Sequence, residues 1–469
     1  MLAPRLFFLL ALLVLTPLAR SQPATAERVP AAETAFENGL QAYVEGAYEE
    51  ALRLFARAAG EFGYNARTTA ALVMAGKSAY AAGDFGRAVA TLDEFLRRYP
   101  NSRYVPEAER VRALAREGGP GGPVAPPFDL GIVLPASGED GYLAQALFNG
   151  VRLAVDEYNA RGPRRPVRMV FRDTGGTEAG TRAAVEAVVG GGADAVVGPL
   201  FSEEALAAGE AAEAAAVVMV APLATDRAVS AGRRYVFQAN PTFAMRGQVM
   251  ANVAAQRLGL GTAGTVAVRG GYGAEMADAF EAEWRRLGRT VAFSERLPDA
   301  AAWRSLQDRL PPERWSGVEA VYLPVSGADA AEHAADALRG LEALGLEGQV
   351  RALGNTEWEG LDASRPRASR FGTVFDQDFL VDEDAAADFV ARYRALAGIG
   401  VDRLALMGYD ATRFLLGLVG APGEAALAER IRQAPRYQGL AHRFDFGGGQ
   451  VNRALFIMGY RDGEAVLLE

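Results

Sequence analysis

The chain has 469 residues, half of them hydrophobic and 23% charged, so a packed core is within reach and wholesale disorder is excluded. With no Cys and two His there is no disulfide, thiolate nucleophile or Fe–S cluster, and little for a metal centre to use. The net charge of −9 argues against nucleic acid as a partner, because nucleic-acid binding requires a basic face.

Arg5 precedes the apolar run Leu6–Leu15, and small and polar residues follow it. This is the layout of a secretory signal, expected over residues 1–26. Ala24-Thr25-Ala26 offers a cleavage site and Ala19-Arg20-Ser21 a rival. The run is shorter than the roughly 20 residues that span a bilayer as a helix. No Cys follows it, so the usual bacterial lipoprotein anchor is not expected. The mature protein is expected in the periplasm.

Residues 32–117 read as helix after helix, and they repeat. Gly39, Tyr43, Gly46, Tyr48, Ala51 and Phe55 recur 37 residues later as Gly76, Tyr80, Gly83, Phe85, Ala88 and Leu92. In each copy a Gly- and Tyr-bearing helix turns at Gly-Ala-Tyr or Gly-Asp-Phe into a second helix that packs its Ala on the first. The pattern resembles the tetratricopeptide repeat, whose period is near 34 residues. Such stacks are concave and bind peptides or proteins, so a protein partner is expected here. Residues 118–127, rich in Gly and Pro, read as a linker.

From Phe128 onward short apolar runs alternate with amphipathic helices in two series. The first comprises Leu130–Leu134, Val167–Phe171, Ala195–Val197 and Ala216–Val220. The second comprises Thr265–Val268, Thr290–Phe293, Val318–Leu323 and Val350–Leu353. This pattern predicts an α/β domain of two lobes, each a parallel sheet covered by helices, behind the all-α repeats. The expected lobe limits are about 128–242 with 372–438, and about 243–371 with 439–469. The last hundred residues are expected to return to each lobe and complete both sheets.

Several motifs fail their structural context. Gly259–Gly264 fits G-x-G-x-x-G but lies between a helix and a following strand, the reverse of a dinucleotide loop. Gly76-Lys77-Ser78 lies inside a repeat helix. His333 reads as a surface residue, His442 as a packing or capping residue, and Glu203–Glu204 as first-turn helix charges. No nucleophile–base pair is identifiable, so neither an enzyme nor a cofactor is expected. Three loops remain. Gly198–Ser202 precedes a helix with Ser202 placed as N-cap, Ala221–Asp226 follows the next strand, and Gly270–Gly273 follows the first strand of the second lobe. Ser202 and Thr225 then lie at the sheet end where doubly wound folds bind ligands. Tyr272 faces them from the other lobe.

On these residues the chain from Phe128 resembles the leucine/isoleucine/valine-binding type of periplasmic receptor, with the type I binding-protein fold. The matching stretches are GIVLPASG (131–138), FNGVRLAVDEYNARG (148–162), VVGPLFSEEA (196–205), VMVAPLATD (218–226), RGGYG (269–273), MGYDA (407–411) and GLAHRFDFGGGQVNR (439–453). The resemblance implies two lobes that close on an amino acid or related solute and a membrane permease as partner. By motif, Ser202 and Thr225 would bind a ligand carboxylate. The backbone at Leu223 would face its ammonium group, and Tyr272 would contact it from the second lobe. Ser137 or Tyr142 would line the cleft, and Glu357 is the nearest acidic partner, about one residue off register. The order of domains also resembles the outer-membrane activators of peptidoglycan synthases, in which this fold is a protein-interaction module. Those proteins are lipoproteins, which the missing Cys disfavours here.

Overall fold

The computed structural model describes residues 26–117, 126–137, 140–163, 165–419 and 426–468. The expected signal segment, apart from Ala26, and most of the linker lie outside them. The chain divides into two compact units between Pro126 and Pro127. Among the described residues no helix is long and apolar enough to cross a membrane.

The first unit is α1 (Pro30–Val44), α2 (Tyr48–Gly60), α3 (Thr68–Ala81), α4 (Phe85–Arg98) and α5 (Val105–Glu117). The 37-residue offset has a physical counterpart at every level. A Cβ on Gly39 would lie 2.8 Å from the Phe55 ring, and one on Gly76 would lie 2.6 Å from Leu92. Tyr43 meets Tyr48 edge-on at 5.4 Å, and Tyr80 meets Phe85 edge-on at 5.6 Å. In each hairpin, therefore, a missing side chain lets a bulky one sit against the backbone, and an aromatic pair closes the turn. Lys77 on α3 bonds Glu107 on α5 at 2.7 Å and ties the last helix to the second hairpin.

The second unit opens with the first lobe. Its elements are β1 (Phe128–Leu134), α6 (Gly141–Ala160), β2 (Val167–Asp173), α7 (Glu178–Gly190), β3 (Ala195–Val197), α8 (Ser202–Ala214), β4 (Val218–Ala221) and β5 (Val236–Gln238). The five strands pair in parallel in the order β2-β1-β3-β4-β5. β1 is buried along its whole length, as a central strand covered on both faces must be.

The second lobe follows as α9 (Phe243–Asn252), β6 (Thr262–Val268), α10 (Tyr272–Arg286), β7 (Thr290–Leu297), α11 (Leu306–Arg309), β8 (Ala320–Tyr322), α12 (Ala330–Ala343), β9 (Arg351–Gly354), α13 (Arg365–Arg370) and β10 (Val374–Gln377). A single π-helical turn, Val253–Arg257, extends α9. The tail supplies α14 (Glu383–Ala397), α15 (Arg403–Val419), α16 (Leu427–Gln433), β11 (Tyr437–Gln438), β12 (Arg443–Phe444), β13 (Phe456–Arg461) and β14 (Glu464–Leu467). The second sheet has seven strands in the order β14-β13-β10-β9-β8-β6-β7. β7, β6, β8, β9 and β10 run parallel, while β13 and β14 are antiparallel additions.

Two expectations about the tail are corrected. The tail adds two strands to the second sheet, whereas at the first it adds only a single parallel bridge, Val451 beside Gln238 at the end of β5. β11 and β12 form a separate two-stranded ribbon whose Phe444 packs into the first lobe's core. The lobe limits also shift. β10 pairs with β9 and β13, so residues 374–377 belong to the second lobe, and the ribbon around 437–446 belongs to the first. Pairing partners that lie tens of residues away decide this, and local apolar pattern does not contain them.

Three chain crossings join the lobes, and polar side chains brace them. Asn452 on the third crossing donates to the Ala239 carbonyl (2.8 Å) on the first, and its own N–H donates to the Gln238 carbonyl (2.9 Å). Arg246, on α9 just past the first crossing, bonds Asp376 (2.6 Å) and Asp378 (2.9 Å) at the start of the second. Arg403 reaches the same Asp378. Burial works against the Arg246 charge, but the two carboxylates outweigh it and hold its pKa above the ordinary arginine value. Burial holds Asp376 above the usual carboxylate range, whereas Arg246 and Arg403 outweigh burial at Asp378 and hold it below.

Candidate functional site

In the first lobe the chain reverses its strand order between β1 and β3, and the loops after these strands lie at the C-terminal edge of the sheet, the edge where doubly wound folds bind ligands. The loop after β3 begins at Gly198, whose φ is +107° and whose absent Cβ would lie 2.1 Å from the Val133 carbonyl oxygen. Only glycine lets the loop cross β1 this closely. Leu200 then anchors the loop in the core, and Phe201 remains 39% exposed.

Ser202 is not the N-cap that its position suggested. Phe201 occupies that place without a side-chain cap, and Ser202 is the first helical residue of α8. The Ser202 Oγ instead accepts the backbone N–H groups of Thr225 and Asp226, both at 3.2 Å. It clamps the loop after β4 to the loop after β3. With both lone pairs engaged, the hydroxyl proton is left to donate. Buried Gln238 holds the same loop from below, donating to the carbonyls of Ala224 (2.9 Å) and Asp226 (3.0 Å). The Leu223 carbonyl accepts from Asn240 Nδ2 at 3.3 Å, and its side chain rests on the lobe core.

Ser137 is already engaged. The Asp173 carboxylate accepts the N–H groups of Ala136 (2.9 Å), Ser137 (3.2 Å) and Gly175 (2.9 Å). The Gly175 N–H, then the Ser137 hydroxyl, hold the Asp173 pKa below the usual carboxylate range. Tyr142, on the first turn of α6, is 72% exposed. Glu204 is buried and accepts the hydroxyls of Thr174 (2.8 Å) and Thr181 (2.9 Å), so it braces α8 and is not half of an acid–base couple.

The second lobe presents a matching set of loops. Tyr272 opens α10 and stacks on Phe243 at 4.7 Å. Its hydroxyl accepts the Gly327 N–H and donates to Glu357 Oε1, both at 3.1 Å. Burial raises its pKa. Buried Asn355 ties the loops after β8 and β9 together through both polar atoms of Val325, at 3.0 and 3.1 Å. The structure therefore joins Ser202 to Thr225 on one lobe and Tyr272 to Glu357 on the other. Each pair lies in loops that follow the C-terminal ends of its own lobe's strands. Glu275, three residues beyond Tyr272, is raised in pKa by burial and feels Arg227 and Asp226 of the first lobe.

The resemblance motifs far from the cleft also find their use. In MGYDA, Asp410 accepts the N–H groups of Leu440 (2.7 Å), Ala441 (2.9 Å) and His442 (3.0 Å), at the start of the GLAH segment. His442 is buried beside it at 3.2 Å, a packing role as expected. The hinge residues Arg246, Asp376 and Asp378 were not foreseen. The signal was available in Phe375–Leu380, where Asp376 and Asp378 flank Gln377 between Phe375 and Phe379 at the end of an apolar run, and acids in a buried setting demand a cation.

Comparisons with known proteins agree with this architecture. Residues 127–465 match the family described as periplasmic binding protein, and residues 30–116 match one described as outer membrane lipoprotein. A Leu/Ile/Val-binding protein of Rhizobium johnstonii is 26% identical over 313 residues, which cover 65% of this chain and 82% of that protein. A Rhodospirillum rubrum protein assigned to branched-chain amino acid ABC transport superposes with a TM-score of 0.59 at 24% identity, covering 73% of this chain and 100% of its own. A substrate-binding protein of Desulfitobacterium hafniense, solved with Leu, superposes with a TM-score of 0.50 at 22% identity, covering 73% and 99%. With its family match spanning both lobes, the chain belongs to the periplasmic binding protein family.

Proposed function

We propose that the protein is an exported, non-enzymatic solute receptor whose two lobes close on an amino acid or related small carboxylate, for uptake through a membrane permease or for sensing. The observation that supports this reading is the Ser202 hydroxyl at the strand-order reversal, which accepts from Thr225 and Asp226 and so has its proton left to donate. A carboxylate oxygen accepts there, and Thr225 lies beside it. Tyr272 and Glu357 supply a hydroxyl and a carboxylate from the opposite lobe, the latter suited to an ammonium group. The Leu/Ile/Val-binding relative supports an amino acid as the ligand class. Closure turns about the three braced crossings. The helical unit, similar to an outer membrane lipoprotein family, adds a docking surface for an envelope protein.

Thermal unfolding against amino acids, amides, short peptides and cell-wall fragments tests this. A ligand at 100 times its dissociation constant stabilises the native state by about 2.7 kcal/mol. Ser202→Ala is expected to weaken a carboxylate ligand by about 1.5–3 kcal/mol, the worth of a hydrogen bond to a charged group. Unchanged affinity would remove Ser202 from the site. No stabilisation by any member of the panel would favour a protein-interaction module instead.

A further inference from the structure

Among the described residues Phe201 is the only exposed phenylalanine. It belongs to neither hydrophobic cluster of the first lobe, although Leu200 just before it and Ala205 on the first turn of α8 are buried in them. A single exposed apolar residue carries no message by itself. Phe201 differs in how its backbone is held. On one side Gly198 passes close against the Val133 carbonyl and Leu200 is anchored in the core. On the other, Ser202 clamps the loop after β4 through Thr225 and Asp226. The exposure therefore does not come from a loose loop. The residue also stands at the C-terminal edge of the first sheet, next to the hydroxyl assigned above to a ligand carboxylate. The second lobe brings aromatic rings as well, since Tyr272 stacks on Phe243 at 4.7 Å.

We propose that Phe201 is a specificity-determining residue of the receptor site and that it selects an amino acid with an aromatic side chain. This inference rests on the receptor reading above. Ser202 and Thr225 take a carboxylate and Glu357 an ammonium group, and every α-amino acid carries both, so these residues do not discriminate between side chains. The rings of Phe201 and Tyr272 do. Aromatic groups gain from offset or edge-to-face contact beyond the area they bury, whereas a branched aliphatic side chain gains the burial alone. A ring whose backbone is fixed before the ligand arrives also loses less freedom on contact.

Calorimetric titration of the whole protein with L-phenylalanine and with L-leucine tests this, in wild type and in Phe201→Ala. The two ligands share the carboxylate and the ammonium group, so their difference isolates the side chain. Thermal unfolding without ligand checks that the variant folds, and an exposed ring leaves that temperature unchanged. The expected result is L-phenylalanine bound at least about tenfold more tightly than L-leucine, with the preference lost in Phe201→Ala. Binding of L-leucine as tightly as L-phenylalanine, or a preference that survives in Phe201→Ala, overturns the inference and leaves the receptor reading standing. Binding of neither, while another amino acid or amide stabilises the protein, does the same. No binding by any of them overturns both.

Discussion

Arg246→Met removes the cation that two buried carboxylates share at the hinge. The Arg246 side chain is 5% exposed, that of Asp376 0% and that of Asp378 3%. Asp378 keeps Arg403 as a second partner. Asp376 keeps no ion-pair partner among the described residues, and one of its carboxylate oxygens already lacks a hydrogen bond. The variant therefore strands one charge in the interior, a change that costs about 3–5 kcal/mol. Against a typical domain stability of about 5–15 kcal/mol, the loss is large. The chain's four Trp, at 284, 303, 315 and 358, all lie in the second lobe, so their fluorescence during urea unfolding reports on this unit. Adding Asp376→Asn removes the stranded charge and is expected to recover about 2 kcal/mol of the loss. A single variant that costs less than about 1 kcal/mol, or a double variant no more stable than the single, would refute the assignment of an ionic brace to the hinge.

Two further outcomes concern the helical unit. Burial raises the Glu107 pKa, but hydrogen bonds from Arg110 and Lys77 outweigh it and bring the value down to about 2. A carboxylate depressed on folding contributes stability above its unfolded pKa and loses it as pH falls toward the folded value. The side chain is 34% exposed, so solvent limits the contribution to about 1 kcal/mol. Glu107→Gln should lower hydrogen-exchange protection of α3 and α5 at pH 7, with the deficit shrinking below about pH 4.5. An equal deficit at pH 7 and pH 3 would exclude the charge as its cause. Gly76→Ala places a methyl 2.6 Å from Leu92 and should destabilise by about 1–3 kcal/mol, despite the better helix propensity of Ala. Gly86→Ala on α4, whose nearest neighbour lies at 3.9 Å, should stabilise instead. Thermal unfolding of the pair decides the packing argument, which fails if both variants stabilise.

By itself, the amino-acid sequence determined the helical repeats and the alternation of strands and helices. Helix pairing demands a small residue facing a large one at a constant offset, so Gly39–Phe55 and Gly76–Leu92 stand out in one dimension. Buried parallel strands must be short apolar runs, so both sheets could be anticipated. It also placed Ser202 and Thr225 side by side, because loops after neighbouring parallel strands share one edge. The tertiary structure alone decided the rest. The one-residue shift that makes Phe201 the cap and frees Ser202 to clamp a second loop depends on where α8 begins to hydrogen-bond. The lobe to which β10 belongs depends on β9 and on β13, about eighty residues later. Arg246 meets Asp376 across 130 residues of chain. These contacts are chosen by which buried groups remain unsatisfied once both lobes have packed, and no local pattern carries that information.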